Sequence, residues 1–394
     1  MDAETLAQYN KSRSIADKAV QSLCYAPHTN LFFSQNGEVC ACCWNGNYPL
    51  GNALHDSIDD IWRGARVQML RHALEGMAFG PGCEFCDRQT ADGWIANPPM
   101  RTFDRFAVPA AAPEWPQRME FSISNSCNLE CIMCRGLWSS AIRAHREKLP
   151  PLRTLYSGAF IDSLRKYLPH LNRAKFLGGE PFLVPEYYRI WDMMIADGLK
   201  TICHITTNGT QYNAKIERVM DALRMSFAVS LDGATKKTVE SIRVNADYDE
   251  QMRILKRFRE YTLARKTDLS LTFCFMRQNW FEFGDFCLFA EEWGCQVGVN
   301  TVTNPPDCAV YNLPAEQLRK IYSTMEQQTA RLEPHLKRNR AVWFAELDRL
   351  RRRCRQADGQ ADSGSRVALV ILPSEPKGVD VKPALNPPAS LSAG

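Results

Sequence analysis

No run of about 18 apolar residues occurs anywhere in this chain, so no membrane-crossing helix is expected. The opening segment, MDAETLAQYNKSRSIADKAV, is polar and has no apolar h-region, so no secretory signal is expected and the location should be cytoplasmic. A strong charge of one sign is also missing. The formal net charge is +4 over 394 residues, too small an excess to argue for nucleic acid. Histidine is scarce, with seven in all, and His28, His72, His145, His170 and His204 read as structural residues.

What the chain has in excess is cysteine, 15 residues in all. An odd number of thiols in a reducing compartment does not look like a disulfide framework, whereas clustered thiols there bind metal. Nine of the 15 precede position 135, and eight of those nine sit in tight groups. Cys203, Cys274, Cys287, Cys295, Cys308 and Cys354 are scattered and read as small buried apolar residues.

The length suggests two or three domains. Residues 1–23 read as a short amphipathic helix. Two apolar runs meet at Asn36-Gly37, the strongest short signal for a hairpin. Ser57 caps a helix that carries Ile58, Ile61, Trp62, Met69, Leu70 and Leu74 at helical spacing. Gly80-Pro81-Gly82 then breaks the chain before Cys83 and Cys86. Residues 1–88 thus form a small Cys-rich α+β module, and the five prolines of residues 89–116 indicate a linker.

From 117 to 305 strands and helices alternate. The strands are expected at Met119–Ser124, Ala174–Leu177, Thr201–Thr206, Ser226–Leu231, Leu269–Met276 and Gln296–Val302. Such alternation specifies a parallel α/β architecture. Pattern alone leaves open whether the sheet is flat or curls into a partial barrel. Ligands belong at the C-terminal strand ends in either case. Helices are expected over 306–357, and the tail 358–394 should be disordered.

Directly after the first of these strands come Cys127, Cys131 and Cys134, in SNSCNLECIMC. Three thiolates on a compact loop can hold three corners of an iron–sulfur cubane and leave the fourth iron open. The competing reading is a zinc knuckle, which would need a fourth ligand such as His145.

This CxxxCxxC spacing resembles the signature of the radical S-adenosylmethionine (SAM) superfamily. The resemblance continues over residues 117 to about 305 in ordered marks after successive strands. Gly178-Gly179-Glu180 is similar to the family's motif for the methionine amino group; glycines permit close backbone approach, and a carboxylate accepts from an ammonium. Asn208, in TTNGT, resembles a ribose-side motif. Ser230, Asp232 and Arg243 match positions that in the family contact the SAM ribose and carboxylate. The implied fold is a partial (β/α)6 barrel. The implied cofactors are SAM and a [4Fe–4S] cluster on Cys127, Cys131 and Cys134.

The N-terminal module resembles a SPASM or shorter twitch domain, which holds an auxiliary [4Fe–4S] cluster. Its implied ligands are Cys24, Cys42, Cys83 and Cys86, with Cys40 and Cys43 as spare thiols that could replace Cys42. Four cysteines in this arrangement also suit structural zinc. The module precedes the barrel here, whereas in the family it follows.

The resemblance implies reductive cleavage of SAM to a 5′-deoxyadenosyl radical, which abstracts hydrogen from the substrate. Electrons would come from a flavodoxin or ferredoxin. A peptide or protein side chain is the expected substrate, with a small sugar or aminocyclitol as alternative. The short segment ahead of the module weakens the peptide reading. A non-catalytic metal-binding protein is the reading from a different class. No catalytic side chain is indicated: a thiol such as Cys308 or Cys274, or an acid such as Asp232, could serve in quenching or deprotonation, and the pattern does not choose among them.

Overall fold

A computed structural model describes residues 3–91 and 99–357. The expected tail at 358–394 and part of the expected linker lie outside the described residues. Nine strands form one sheet in the order β3-β2-β1-β4-β5-β6-β7-β8-β9. They are β1 (Asn30–Ser34), β2 (Glu38–Cys40), β3 (Gly51–Asn52), β4 (Arg118–Ser122), β5 (Arg173–Phe176), β6 (Ile202–Thr207), β7 (Arg224–Ser230), β8 (Leu269–Phe275) and β9 (Gln296–Thr301). Strands β4 to β9 are parallel neighbours in chain order, which makes them the wall of an open, partial α/β barrel. All six expected strands are present to within two residues.

Side chains alternate across the wall with period two. The outward set is apolar: Phe121, Phe176, Ile205, Phe227 and Phe273 are fully buried against the helices. Helix Pro185–Ala196 brings Trp191 edge-on to Phe176 at 5.2 Å, and helix Tyr248–Arg265 stacks Phe258 on Phe227 at 4.2 Å. The inward set is polar, including Arg118, Glu120, Lys175, His204 and Ser226 on β4 to β7.

The N-terminal module is built into this wall. Strand β1 runs parallel to β4, with Phe33 level with Phe121, so the module supplies an added edge strand. Phe33 stacks on Phe121, and Phe121 on Phe176, each at 5.4 Å. The Asn36-Gly37 hairpin forms as the sequence indicates, with Gly37 at φ +86°. Ser57 caps its helix by accepting from the Asp60 amide.

Three local readings change. The N-terminal helix covers only Ala3–Ser12, and the chain then runs alongside residues 104–108. The helix after Ser57 is two helices, Ile58–Arg63 and Ala65–Glu75, because Gly64 is extended; Met69 consequently points to solvent. Residues 99–116 are a packed strap: Phe103, Phe106 and Val108 are buried, and Asp104 pairs with Arg13 at 2.6 Å in the interior. Trp62 donates to the Pro113 carbonyl at 2.9 Å, closing the strap on the module. Residues 306–357 carry helices Ala315–Leu332 and Arg340–Ala357. Among the described residues no helix is long and apolar enough to cross a membrane.

Phe121 sits between the module and the barrel. Phe121→Ala is expected to cost about 3–5 kcal/mol and to lower the urea midpoint of both parts together. Loss from the barrel alone, read by separate probes, would show that the module folds independently.

Candidate active site and auxiliary cluster site

The triad loop leaves the end of β4 and is anchored along its length. The Glu130 and Ile132 amides donate to the Val244 and Ile242 carbonyls at 3.0 and 2.9 Å. The Ser140 hydroxyl accepts from the Cys127 amide at 3.0 Å. Cys131 is buried, while Cys127 and Cys134 are half-buried. Burial pushes the Cys131 thiol up to about 12 and Cys134 to about 11, and the other thiols of the triad add to both. Protonated thiols are stable here only until a cation arrives to hold the thiolates.

The glycine turn packs onto this loop. Gly178 and Gly179 have φ of +82° and +53°. A Cβ on Gly179 would stand 2.2 Å from the Ser126 carbonyl oxygen, so only glycine fits. The Glu180 amide donates to that same carbonyl at 2.7 Å.

Glu180, expected as an anionic acceptor for an ammonium, is occupied by donors of the protein itself. Its carboxylate is fully buried and accepts from the Thr207 hydroxyl (2.9 Å), the Asn208 amide (2.7 Å) and the Phe182 amide (3.2 Å). It ties the glycine turn to the end of β6. Burial raises its pKa to about 7, against the pull of those donors.

Asn208 donates through Nδ2 to Asn128 at 3.1 Å and lies 3.9 Å from the Cys127 sulfur. Asp232, at φ +64°, accepts from the Cys274 amide at 2.6 Å and pairs with Arg243 at 2.6 Å, both side chains being buried. Burial opposes the charge on Arg243, but Asp232 together with the Cys131 and Cys274 thiols outweighs it and keeps the guanidinium protonated. Arg243 Nη1 lies 3.8 Å from the Cys131 sulfur. Ser230 is half-buried at the end of β7. The motif residues therefore gather about the triad from the ends of three strands, β5, β6 and β7, with Arg243 from the helix that follows. N–H groups directed at cluster sulfurs are one means by which a protein sets a cluster's potential.

In the module, Cys24, Cys42, Cys83 and Cys86 line one cavity that is partly open to solvent. Cys40 and Cys43 do not line it. Burial raises all four lining thiols, Cys83 to about 11 and Cys86 to about 12. Gly82, at φ +77°, lets the Cys83–Cys86 turn close on Asn45. Trp44 and Phe85 stack at 4.0 Å beside it.

The residues fit iron–sulfur clusters. Arg243 Nε is buried beside Cys131 without a hydrogen-bond partner, as suits a site that takes an anionic group. His145, the zinc alternative, is bonded to Glu130 at 3.0 Å with 66% of its side chain exposed. Among the described residues no three His, Cys, Asp or Glu side chains stand close enough to share one ion. A cubane seats each thiolate on a different iron, so its ligands stand further apart than those of one ion.

Comparison with known families agrees with this geometry. Residues 121–290 match the radical SAM superfamily, and residues 24–87 match an iron–sulfur cluster-binding domain, SPASM. The chain is thus a radical SAM superfamily protein, with its SPASM domain ahead of the radical SAM domain. Its cofactors are SAM and [4Fe–4S] clusters, an auxiliary one included.

Among similar proteins, the AdoMet-dependent heme synthase of Methanosarcina barkeri is 30% identical over 132 residues, covering 32% of this chain and 34% of that protein. The mycofactocin maturase MftC of Mycobacterium tuberculosis is 25% identical over 209 residues, covering 52% of this chain and 49% of that protein. The chain thus spans between a third and a half of these relatives' lengths. Solved structures that align include Streptococcus suis SuiB bound to S-adenosylmethionine (16% identity, TM-score 0.40, 55% of this chain and 48% of that one). Another is anSMEcpe with bound AdoMet (14% identity, TM-score 0.39, 54% of this chain and 62% of that one).

Two outcomes are expected of iron analysis on reconstituted protein. Gly179→Ala should retain about four irons per chain of about eight, because the turn can no longer seat the triad loop. Cys42→Ser should likewise lose about four irons, whereas Cys40→Ser and Cys43→Ser should lose none. Iron loss from Cys40→Ser or Cys43→Ser alone would reassign the fourth ligand.

Proposed function

We propose that this protein is a radical SAM oxidoreductase of the maturase kind, which abstracts hydrogen from a peptide or protein side chain in an oxidation, cross-link or epimerisation. The observation that carries the reading is the convergence of the triad, the glycine turn, Asn208 and the Asp232–Arg243 pair at one end of the half-barrel. The four thiols of the module, gathered in one cavity, support an auxiliary cluster on Cys24, Cys42, Cys83 and Cys86. The relationship to a mycofactocin maturase favours a peptide substrate over a sugar or aminocyclitol. We place the protein in the cytoplasm, with a flavodoxin or ferredoxin as electron donor.

With SAM and a reduced cluster on Cys127, Cys131 and Cys134 in place, the site supplies a 5′-deoxyadenosyl radical. The protein's own work is positioning. Arg243, held charged by Asp232, offers its free Nε to a carboxylate. Gly178 and Gly179 bring backbone close to the triad loop. Glu180 acts through the loops it ties together, so it is a positioning residue for Asn208. Ser230 and Asn208 stand at neighbouring strand ends, where the SAM ribose would lie.

The test is formation of 5′-deoxyadenosine by anaerobically reconstituted protein given SAM and dithionite. Wild type is expected to produce it and Cys127→Ala to fall to background. A fully iron-loaded wild type that makes none, and whose cluster EPR signal ignores SAM, would refute the proposal.

A further inference from the structure

The inner face of the half-barrel carries charge that its own residues do not balance. Strand register sets Asn30, Arg118 and Arg173 side by side on β1, β4 and β5. Two residues further along, Glu120, Lys175, His204 and Ser226 form the next inward row across β4 to β7. Glu120 is buried, and one of its oxygens faces both Arg118 (3.2 Å) and Lys175 (3.3 Å); Asn30 donates to the other at 3.1 Å.

Three cations, Arg118, Lys175 and Arg173, thus share the face with one buried carboxylate. Asp268, 3.7 Å from Arg173, is 80% exposed and screened by water. Arg118 Nε is buried without a hydrogen-bond partner. His204 adds no negative charge: it is held against Ser226 at 2.9 Å and kept neutral, first by burial and then by Lys175 and the neighbouring arginines. Lys175 and Arg173 both keep open surface, with 20% and 18% of their side chains accessible, and Lys175 is the one nearer the strand end.

Cys43 looks onto the same region from the turn after β2. Its side chain is exposed. The charges that act on it most strongly are those of Glu120, Lys175 and Arg118.

Positive charge set into a low-dielectric concave wall focuses potential and attracts anions. We propose that this part of the inner face is a substrate-anchoring subsite that binds a carboxylate, with Lys175 reaching the ligand and Arg118 behind it. Lys175 precedes Gly178 by three residues, about 10 Å of strand. The anchored carboxylate would therefore stand about three extended residues' length from the turn that receives SAM. The inference rests on the proposed function for its meaning, since a carboxylate held there belongs to the substrate only if radical chemistry occurs at the strand ends.

Two alkylating agents that differ only in a carboxylate, iodoacetate and iodoacetamide, test the subsite. Their rates at Cys43 are read by mass spectrometry in cluster-loaded protein, and their ratio is divided by the same ratio for N-acetylcysteine. At low salt the normalised ratio is expected to be about 5 or more, falling as salt rises. Lys175→Met should bring it to about one, and Lys175→Arg should keep it, which separates lost charge from lost folding. A wild-type ratio at or below one, or one that Lys175→Met leaves unchanged, overturns the proposal.

Protection of Cys43 from iodoacetate distinguishes the sources of the carboxylate. N-acetyl-Ala-Ala protects if the subsite reads a peptide C-terminus, and N-acetyl-Asp-Ala amide protects if it reads an acidic side chain. Protection by neither also overturns it. None of these readings requires SAM cleavage, so they stand or fall separately from 5′-deoxyadenosine formation.

Discussion

The parallel pairing of β1 with β4 is the constraint on which the rest of the arrangement depends. A parallel sheet left with an open edge exposes a row of unpaired amides and carbonyls. Here five residues of the module, Asn30–Ser34, satisfy that edge opposite Arg118–Ser122. The pairing carries the Phe33–Phe121–Phe176 row across the junction and sets the turn after β2 above the inner face. Cys42 lines the module's cavity while its neighbour Cys43 faces Glu120 and Lys175. Two adjacent residues thereby bring the auxiliary cavity and the barrel interior to the same wall.

Electrostatics then divides the wall's two sides. Outward positions are apolar and lie under helices. Inward positions retain ionisable groups that burial would disfavour without partners. Some of that cost is met inside the protein: Asp232 stabilises Arg243, and Glu180 is surrounded by donors from three residues. The clustered thiols receive only long contacts, such as those from Asn208 and Arg243. Burial disfavours their ionised form in both clusters of cysteines, so thiolates can exist there only with a compensating cation, the condition that a cluster's iron meets.

Much of this was legible from the chain because its signals are local. Strand alternation located all six barrel strands, Asn36-Gly37 located the hairpin, and Ser57 located a helix start. Less local features were misread. Five prolines made residues 89–116 look like a linker, yet Phe103, Phe106 and Val108 find a core that only the folded module provides. Met69 fits a continuous helix, but Gly64 restarts the helix and turns that residue to solvent. The bonds that hold Glu180 were not legible at all, because they come from Thr207 and Asn208 at the end of a different strand.

The sequence by itself determined the chemistry: the spacing of Cys127, Cys131 and Cys134, the glycine pair, and the order of polar residues after successive strands. Those are properties of short stretches, in which spacing fixes what neighbouring side chains can hold together. Tertiary structure alone decided which of the six module thiols share a cavity, that Asn208 and Arg243 lie against cluster sulfurs, and that Arg118, Lys175 and Arg173 meet around one carboxylate. Those depend on strand register, and register is set by the packing of residues far apart in the chain.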